Sequence, residues 1–297
     1  MIKVTELELL LGGILGAVAI INAVALYREL NRSRERTQRE IEESDGGHGS
    51  SPLQLKAQIL AERDRIKREI EQERGTRVIT LIHRKEPWTA PDEEPEIVLE
   101  DSETVLDQIR GTPSDRPIDF IIHTPGGVAL AAELMAMAVK FHKGKVTAFV
   151  PFYAMSGGSL IALACDEIRM ERYSILGPVD PQIEGYPAST YVSILKRKSQ
   201  DSITDKSLIL AELAEMEVRN AKEFVKWILR DKMDEPQAAQ VAEVLAGGYM
   251  SHDTMITMDP AVDMGLNVVE GVPEKVYEMF RTYDFGIPKK VGRQQYA

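Results

Sequence analysis

Ser156 lies in VPFYAMSGGSLIALACDEI (150–168), after an apolar strand-like run and before an apolar helix-like one. A serine hydroxyl serves as a nucleophile when a turn exposes its oxygen, a base takes its proton and free backbone N–H groups hold the charge developing on the attacked carbonyl. A second glycine turn, HTPGG at 123–127, follows an earlier strand-like run. At the carboxyl edge of a parallel sheet both turns would face one site. Ser156 would then attack, while the amides of Gly126 or Gly127 and of Gly157 donate, glycine letting the backbone come close to a substrate. Singly, each turn has a plainer reading: small residues between strand and helix are ordinary turn chemistry, and TPGG fits a type II turn. The pair is what points to acyl transfer.

Such turns need a rigid frame. RVITLIH (77–83), IDFIIHT (118–124) and KVTAFVP (145–151) read as strands, with a helix over about 128–142 and another after the serine turn. Strands alternating with helices imply βαβ crossovers and a mostly parallel sheet, an α/β fold. Beyond it, 207–230 reads as a long amphipathic helix with Ile209, Leu213, Met216, Phe224 and Ile228 on roughly one face, followed by helices over 236–246 and 274–283.

Ahead of this domain, residues 9–27 form an apolar run broken only by Asn22, long enough to cross a bilayer core. Ala23-Val24-Ala25 resembles a signal-peptide cleavage site, but Arg28, Arg32, Arg34, Arg36 and Arg39 follow at once, whereas Glu6 and Glu8 precede. The expectation is an uncleaved single-pass anchor in the cell membrane (1–27), a charged helical tether (28–75), a cytoplasmic catalytic domain (76–284) and a polar tail (285–297). Within the tether, 53–74 has helical spacing and suits either an arm packing between subunits or near the membrane, or a solvated charged helix.

Composition removes several classes. A net charge of -11, without a basic stripe, argues against nucleic-acid binding. The single cysteine, Cys165, sits in an apolar run and reads as a buried structural thiol. The histidines, His48, His83, His123, His142 and His252, show no ligand spacing, so neither metal nor cofactor is expected.

TPGG, then AMSGGS with its following helix, CDEIRM and ILGPVDPQ together resemble the Clp-protease/crotonase superfamily. Within it, the chain is most similar to the membrane-anchored serine dehydrogenase proteinase family, which resembles signal-peptide peptidase A. The resemblance covers about residues 77–270 and implies a ββα spiral fold, homo-oligomerisation and hydrolysis of peptide bonds. It also implies Ser156 as nucleophile and Gly126 and Gly127 as the oxyanion turn.

The base does not follow in register. Where Clp-type members place a histidine this chain reads GPVDPQ and offers Asp180, and their triad aspartate is matched best by Asp253. Three arrangements stay open: a lysine, among Lys196, Lys198 and Lys206, with Lys198 favoured because its basic neighbours would depress its pKa; His252 beside Asp253; or an arrangement around Asp180. His123 reads as a satisfied structural histidine. The leading function is a membrane-tethered, ATP-independent serine peptidase acting on peptides or membrane-protein fragments, no Walker motif being present. An acyl-CoA enzyme of crotonase type and a catalytically silent oligomeric scaffold are the alternatives.

Overall fold

The computed structural model describes residues 52–86, 88–89, 94–199 and 202–283. The apolar run at 9–27, residues 28–51 of the tether and the tail at 285–297 lie outside the described residues. Among the described residues no helix is long and apolar enough to cross a membrane.

Five strands build the main sheet: β1 (Arg77–Ile82), β2 (Ile118–His123), β3 (Val146–Val150), β5 (Glu167–Met170) and β9 (Val268–Glu270). They stand side by side in chain order, every neighbouring pair parallel. Each residue of β2 and β3 is buried, as parallel strands covered on both faces require. Alternation divides their side chains between two cores. Ile79, Leu81, Phe120, Ile122, Ala148 and Val150 point into one, and Val78, Ile121 and Phe149 into the other.

The first core is roofed by the crossover helices α2 (Leu99–Arg110), α3 (Ala129–Phe141), α4 (Gly157–Ala164), α6 (Asp205–Leu229) and α7 (Glu235–Ala246), together with α8 (Met258–Asp263). Chain-order strands with their crossovers on one face form a spiral that winds in a single sense. Helix α2 is absent from the expectations: LEDSETVLDQIR is mostly polar, and the apolar residues it buries are only Val105 and Ile109.

The second core is closed by α1 (Pro52–Arg74) and α9 (Glu274–Arg281), which contribute Ile66, Ile70, Val276, Met279 and Phe280. The chain divides into two compact units at Leu60/Ala61, so the C-terminal part of α1 belongs to the unit that holds the sheet. That part is therefore not a wholly solvated helix, since it buries Ile66 and Ile70. Arg74 grips the fully buried Asp119 of β2 with Nε and a second guanidinium nitrogen at 2.6 and 3.2 Å, and Thr76 Oγ1 donates to the same carboxylate at 2.8 Å. Arg63 forks onto Glu86 at 2.6 and 2.8 Å, donates to Thr282 Oγ1 and lies over the Tyr283 ring.

A small parallel pair, β4 (Tyr153–Ala154) with β6 (Ile175–Leu176), rises beyond the carboxyl edge of β3, and a hairpin, β7 (Gln182–Ile183) with β8 (Tyr186–Pro187), leads into α5 (Ala188–Arg197). These short elements and the two glycine turns form the site.

Candidate active site

Ser156 ends the β4 loop and begins α4. Its φ of 50° and ψ of -115° place a side-chain-bearing residue in a region that glycine favours. Such strain persists only where the surroundings hold it, and it gathers at functional sites. Met155 donates its N–H to Thr124 O at 2.9 Å, Gly158 donates to Met155 O at 2.7 Å, and all eight residues of α4 are buried. The sharp strand-to-helix turn presents the side chain of Ser156, which lines a cavity of about 740 Å³.

The TPGG turn lies against it. Ile97 pairs with Gly127 as a parallel bridge, donating to Gly126 O at 2.7 Å and accepting from Val128 N at 2.9 Å. A Cβ on Gly127 would stand 2.3 Å from Ile97 O, and one on Gly126 2.8 Å from Ser156 Cβ. Both positions therefore require glycine, for close approach as much as for their positive φ. The structure also separates two candidates that the sequence left equal. Gly126 N–H is bound to Thr124 Oγ1 at 3.1 Å, whereas among the described residues no partner takes the N–H of Gly127 or of Gly157. Gly157 is the first residue of α4, where the helix dipole adds to the pull on an anion.

Across the cavity stands a histidine–carboxylate pair. His252 Nδ1 lies 2.8 Å from Asp180 Oδ1, and Gln182 Nε2 donates to Asp180 Oδ2 at 2.7 Å. Asp180 is 4% exposed. Its carboxylate can only accept, so Nδ1 carries the proton and Nε2 keeps its lone pair. The hydrogen bond that His252 donates to Asp180 raises the imidazole above its ordinary value, outweighing the opposing effect of burial, with the charges of Asp180 and Asp253 adding to it. Asp180 and His252, 72 positions apart, are brought together by backbone pairing: Leu176 and Ile256 exchange two 2.9 Å hydrogen bonds, and Val179 donates to Leu245 O. Ser159, the second serine of AMSGGS, donates to Ala154 O and accepts from Gly177 N, tying the Asp180 loop to the Ser156 turn.

Ser156, Gly126, Gly127, Gly157, Asp180 and His252 thus line one cavity. Lys198 and Asp253 do not. Lys198 is exposed at the C-cap of α5, Lys196 lines a separate depression with Glu215 and Tyr249, and Lys206 pairs with Glu184 at 3.5 Å. All three lysines are exposed and none lines the cavity of Ser156. Asp253 is exposed, and the carboxylate against His252 is that of Asp180, which corrects the pairing expected for this histidine. Gln182, the last residue of GPVDPQ, carries no signal in the sequence, because its reach to Asp180 depends on the hairpin turning back after Pro181.

Two other readings are settled by burial. Cys165 is buried, its thiol pushed up to about 12 by desolvation, as befits a structural residue. His123 departs from expectation. It packs against Phe152, Tyr153 and Phe280, its Nδ1 has no hydrogen-bond partner among the described residues, and burial, with help from Arg84 and His83, depresses it to about 3.

A strained serine at a helix N-terminus, beside a glycine turn on a parallel α/β sheet, is an arrangement of ClpP-like serine proteinases. The chain belongs to one family of that class, the ClpP-like SDH-type serine proteinases, whose model matches residues 50–296. Uncharacterized protein MJ1495 of Methanocaldococcus jannaschii is 46% identical over 227 residues, 75% of this chain and 77% of the relative. Uncharacterized protein MJ0137 of the same organism is 43% identical over 229 residues, 76% and 80% of the two chains. Among solved structures, a serine-to-alanine mutant of the 1510-N membrane-bound stomatin-specific protease aligns with a TM-score of 0.42 at 18% identity, covering 62% of this chain and 79% of that one.

Proposed function

We propose that the protein is a membrane-tethered, ATP-independent serine peptidase whose triad runs Ser156, Asp180, His252 in chain order. The observation that carries this reading is the His252 Nδ1–Asp180 Oδ1 contact of 2.8 Å on the wall of the cavity lined by the strained Ser156. Ser156 Oγ attacks the scissile carbonyl as His252 Nε2 takes its proton, and Asp180 steadies the imidazolium. The N–H groups of Gly127 and Gly157 hold the oxyanion. The tetrahedral intermediate collapses to an acyl-enzyme, His252 returning the proton to the departing amine, and water then releases the acid by the same steps. Relative to the Clp-type register, histidine and aspartate have exchanged places.

The same cavity is lined by Glu96, Glu133 and Glu217 and, among the described residues, by no lysine or arginine. Burial, with the neighbouring Glu217, pushes the Glu133 carboxyl up. An acidic lining of this kind favours peptides over acyl-CoA thioesters, whose phosphates it would repel. The apolar run at 9–27 supports tethering, with the catalytic domain on the cytoplasmic side, and exposed Leu208, Ile209 and Met216 along α6 support homo-oligomerisation. A fluorophosphonate should label the full-length protein and fail to label Ser156→Ala, and His252→Ala should slow labelling on the order of 10³-fold or more. Equal labelling of wild type and Ser156→Ala would refute the reading.

A further inference from the structure

Resting on the peptidase reading above, we propose that His83 and Asp101 are positioning residues for the oxyanion turn, acting through Thr124 to hold Gly126 against the nucleophile. Neither lines the catalytic cavity. The hydrogen bonds run in one direction from the turn. Gly126 N–H donates to Thr124 Oγ1 at 3.1 Å. With that lone pair occupied, the Thr124 hydroxyl proton goes to His83 Nδ1 at 2.7 Å, the alternative acceptor Gly126 O being farther, at 3.4 Å. His83 Nδ1 is therefore the acceptor, the ring proton sits on Nε2, and Nε2–H donates to Asp101 Oδ2 at 3.3 Å. The same oxygen accepts Val98 N–H at 2.8 Å, at the start of α2.

The chain then closes on itself. Ile97, next to Val98, donates its own N–H to Gly126 O at 2.7 Å. Gly126 is thus held by its N–H through Thr124, His83 and Asp101, and by its carbonyl through Ile97, the two routes ending at the N–H groups of the adjacent residues Val98 and Ile97. Thr124, fully buried, also accepts Met155 N–H through its carbonyl at 2.9 Å. One residue therefore fixes the serine turn with its backbone and the oxyanion turn with its side chain. A Cβ on Gly126 would lie 2.8 Å from Ser156 Cβ, so the turns are in contact and slack in one displaces the other. The Gly127 N–H, one residue on, moves with it.

This role is distinct from plain packing because it predicts a loss confined to the charged intermediate. In the full-length enzyme, His83→Ala should lower kcat about 10- to 100-fold, as sub-ångström misplacement of a catalytic group does, with KM within about twofold. Affinity for a peptide aldehyde, whose adduct places an oxyanion in the same hole, should fall by the same factor as kcat. His83→Asn, with an Oδ1 acceptor near the place of Nδ1, should recover most of both. Thr124→Val should reproduce the loss without a change of shape, Thr124→Ser should not, and the His83→Ala/Thr124→Val double variant should be no worse than either alone. Should His83→Ala not fold, the Asn and Val variants carry the same comparison. Folded His83→Ala and Thr124→Val proteins with unchanged kcat and aldehyde affinity would overturn the proposal, as would losses that multiply in the double variant. Failure of the peptidase reading itself would look different: wild type would show no Ser156-dependent fluorophosphonate labelling.

Discussion

The proton on His252 decides how the site answers pH. In the proposed triad only the neutral ring can accept from Ser156, and Asp180 raises the imidazole, so kcat/KM should fall as the pH drops through a midpoint above the ordinary imidazole value of about 6.5. Asp180→Asn removes both the charge and the acceptor that fixes the tautomer. The acid limb should move to lower pH while kcat/KM falls on the order of 10⁴-fold, read from a full pH–rate profile. The strain at Ser156 has its own test. Ser156→Ala keeps a side chain at φ 50°, whereas Ser156→Gly does not, so the glycine variant should be the more stable of the two by about 1 kcal/mol in denaturant titration. At this scale the sequence displayed the serine turn and the glycine turns that share the cavity, because a strained serine and close backbone approach each demand a particular residue type. It did not display the His252–Asp180 pair. The partners of His252 and of His83 lie 72 and 18 residues away, and only the completed fold brings them within reach.

Among the elements, α1 shows how charge can hide a buried face. Ile66 and Ile70 are one helical turn apart, yet the surrounding run of Arg, Lys and Glu reads as solvated until Arg74 is seen to close over Asp119. The strands were legible because both faces of a parallel sheet are apolar; α2 was not, because two buried apolar residues in twelve give no period to read. The Arg74–Asp119 pair gives the element-scale prediction. Arg74→Ala leaves a carboxylate with 1% side-chain exposure held by Thr76 alone among side chains, and should cost about 3 kcal/mol in equilibrium unfolding. Arg74→Met, which retains the stem over the sheet, should cost about as much, since charge and not packing is what Asp119 loses.

At the scale of the whole molecule, the helices that close the first core lie on one face of the sheet, and α6 among them carries a run of exposed apolar side chains. Leu208, Ile209 and Met216 are each more than two-fifths exposed. If this face joins copies of the chain, Ile209→Lys with Met216→Lys should convert the detergent-solubilised full-length protein from an oligomer to a monomer in sedimentation, with the melting temperature of the domain little changed. An oligomer that survives both lysines would place the interface elsewhere.

The complete burial of α4 bears on how such an enzyme can be altered. From Gly157 to Ala164 the helix offers no outward face, so any substitution there is a core substitution and endangers the serine turn it supports. The opposite wall is different: Leu213, Glu217, Ala221 and Phe224 of α6 reach the same cavity from a helix that is largely exposed along its length. An engineer seeking a new cleavage preference, or a lineage drifting toward one, has its freedom on α6, while the short helix that carries the chemistry stays as it is.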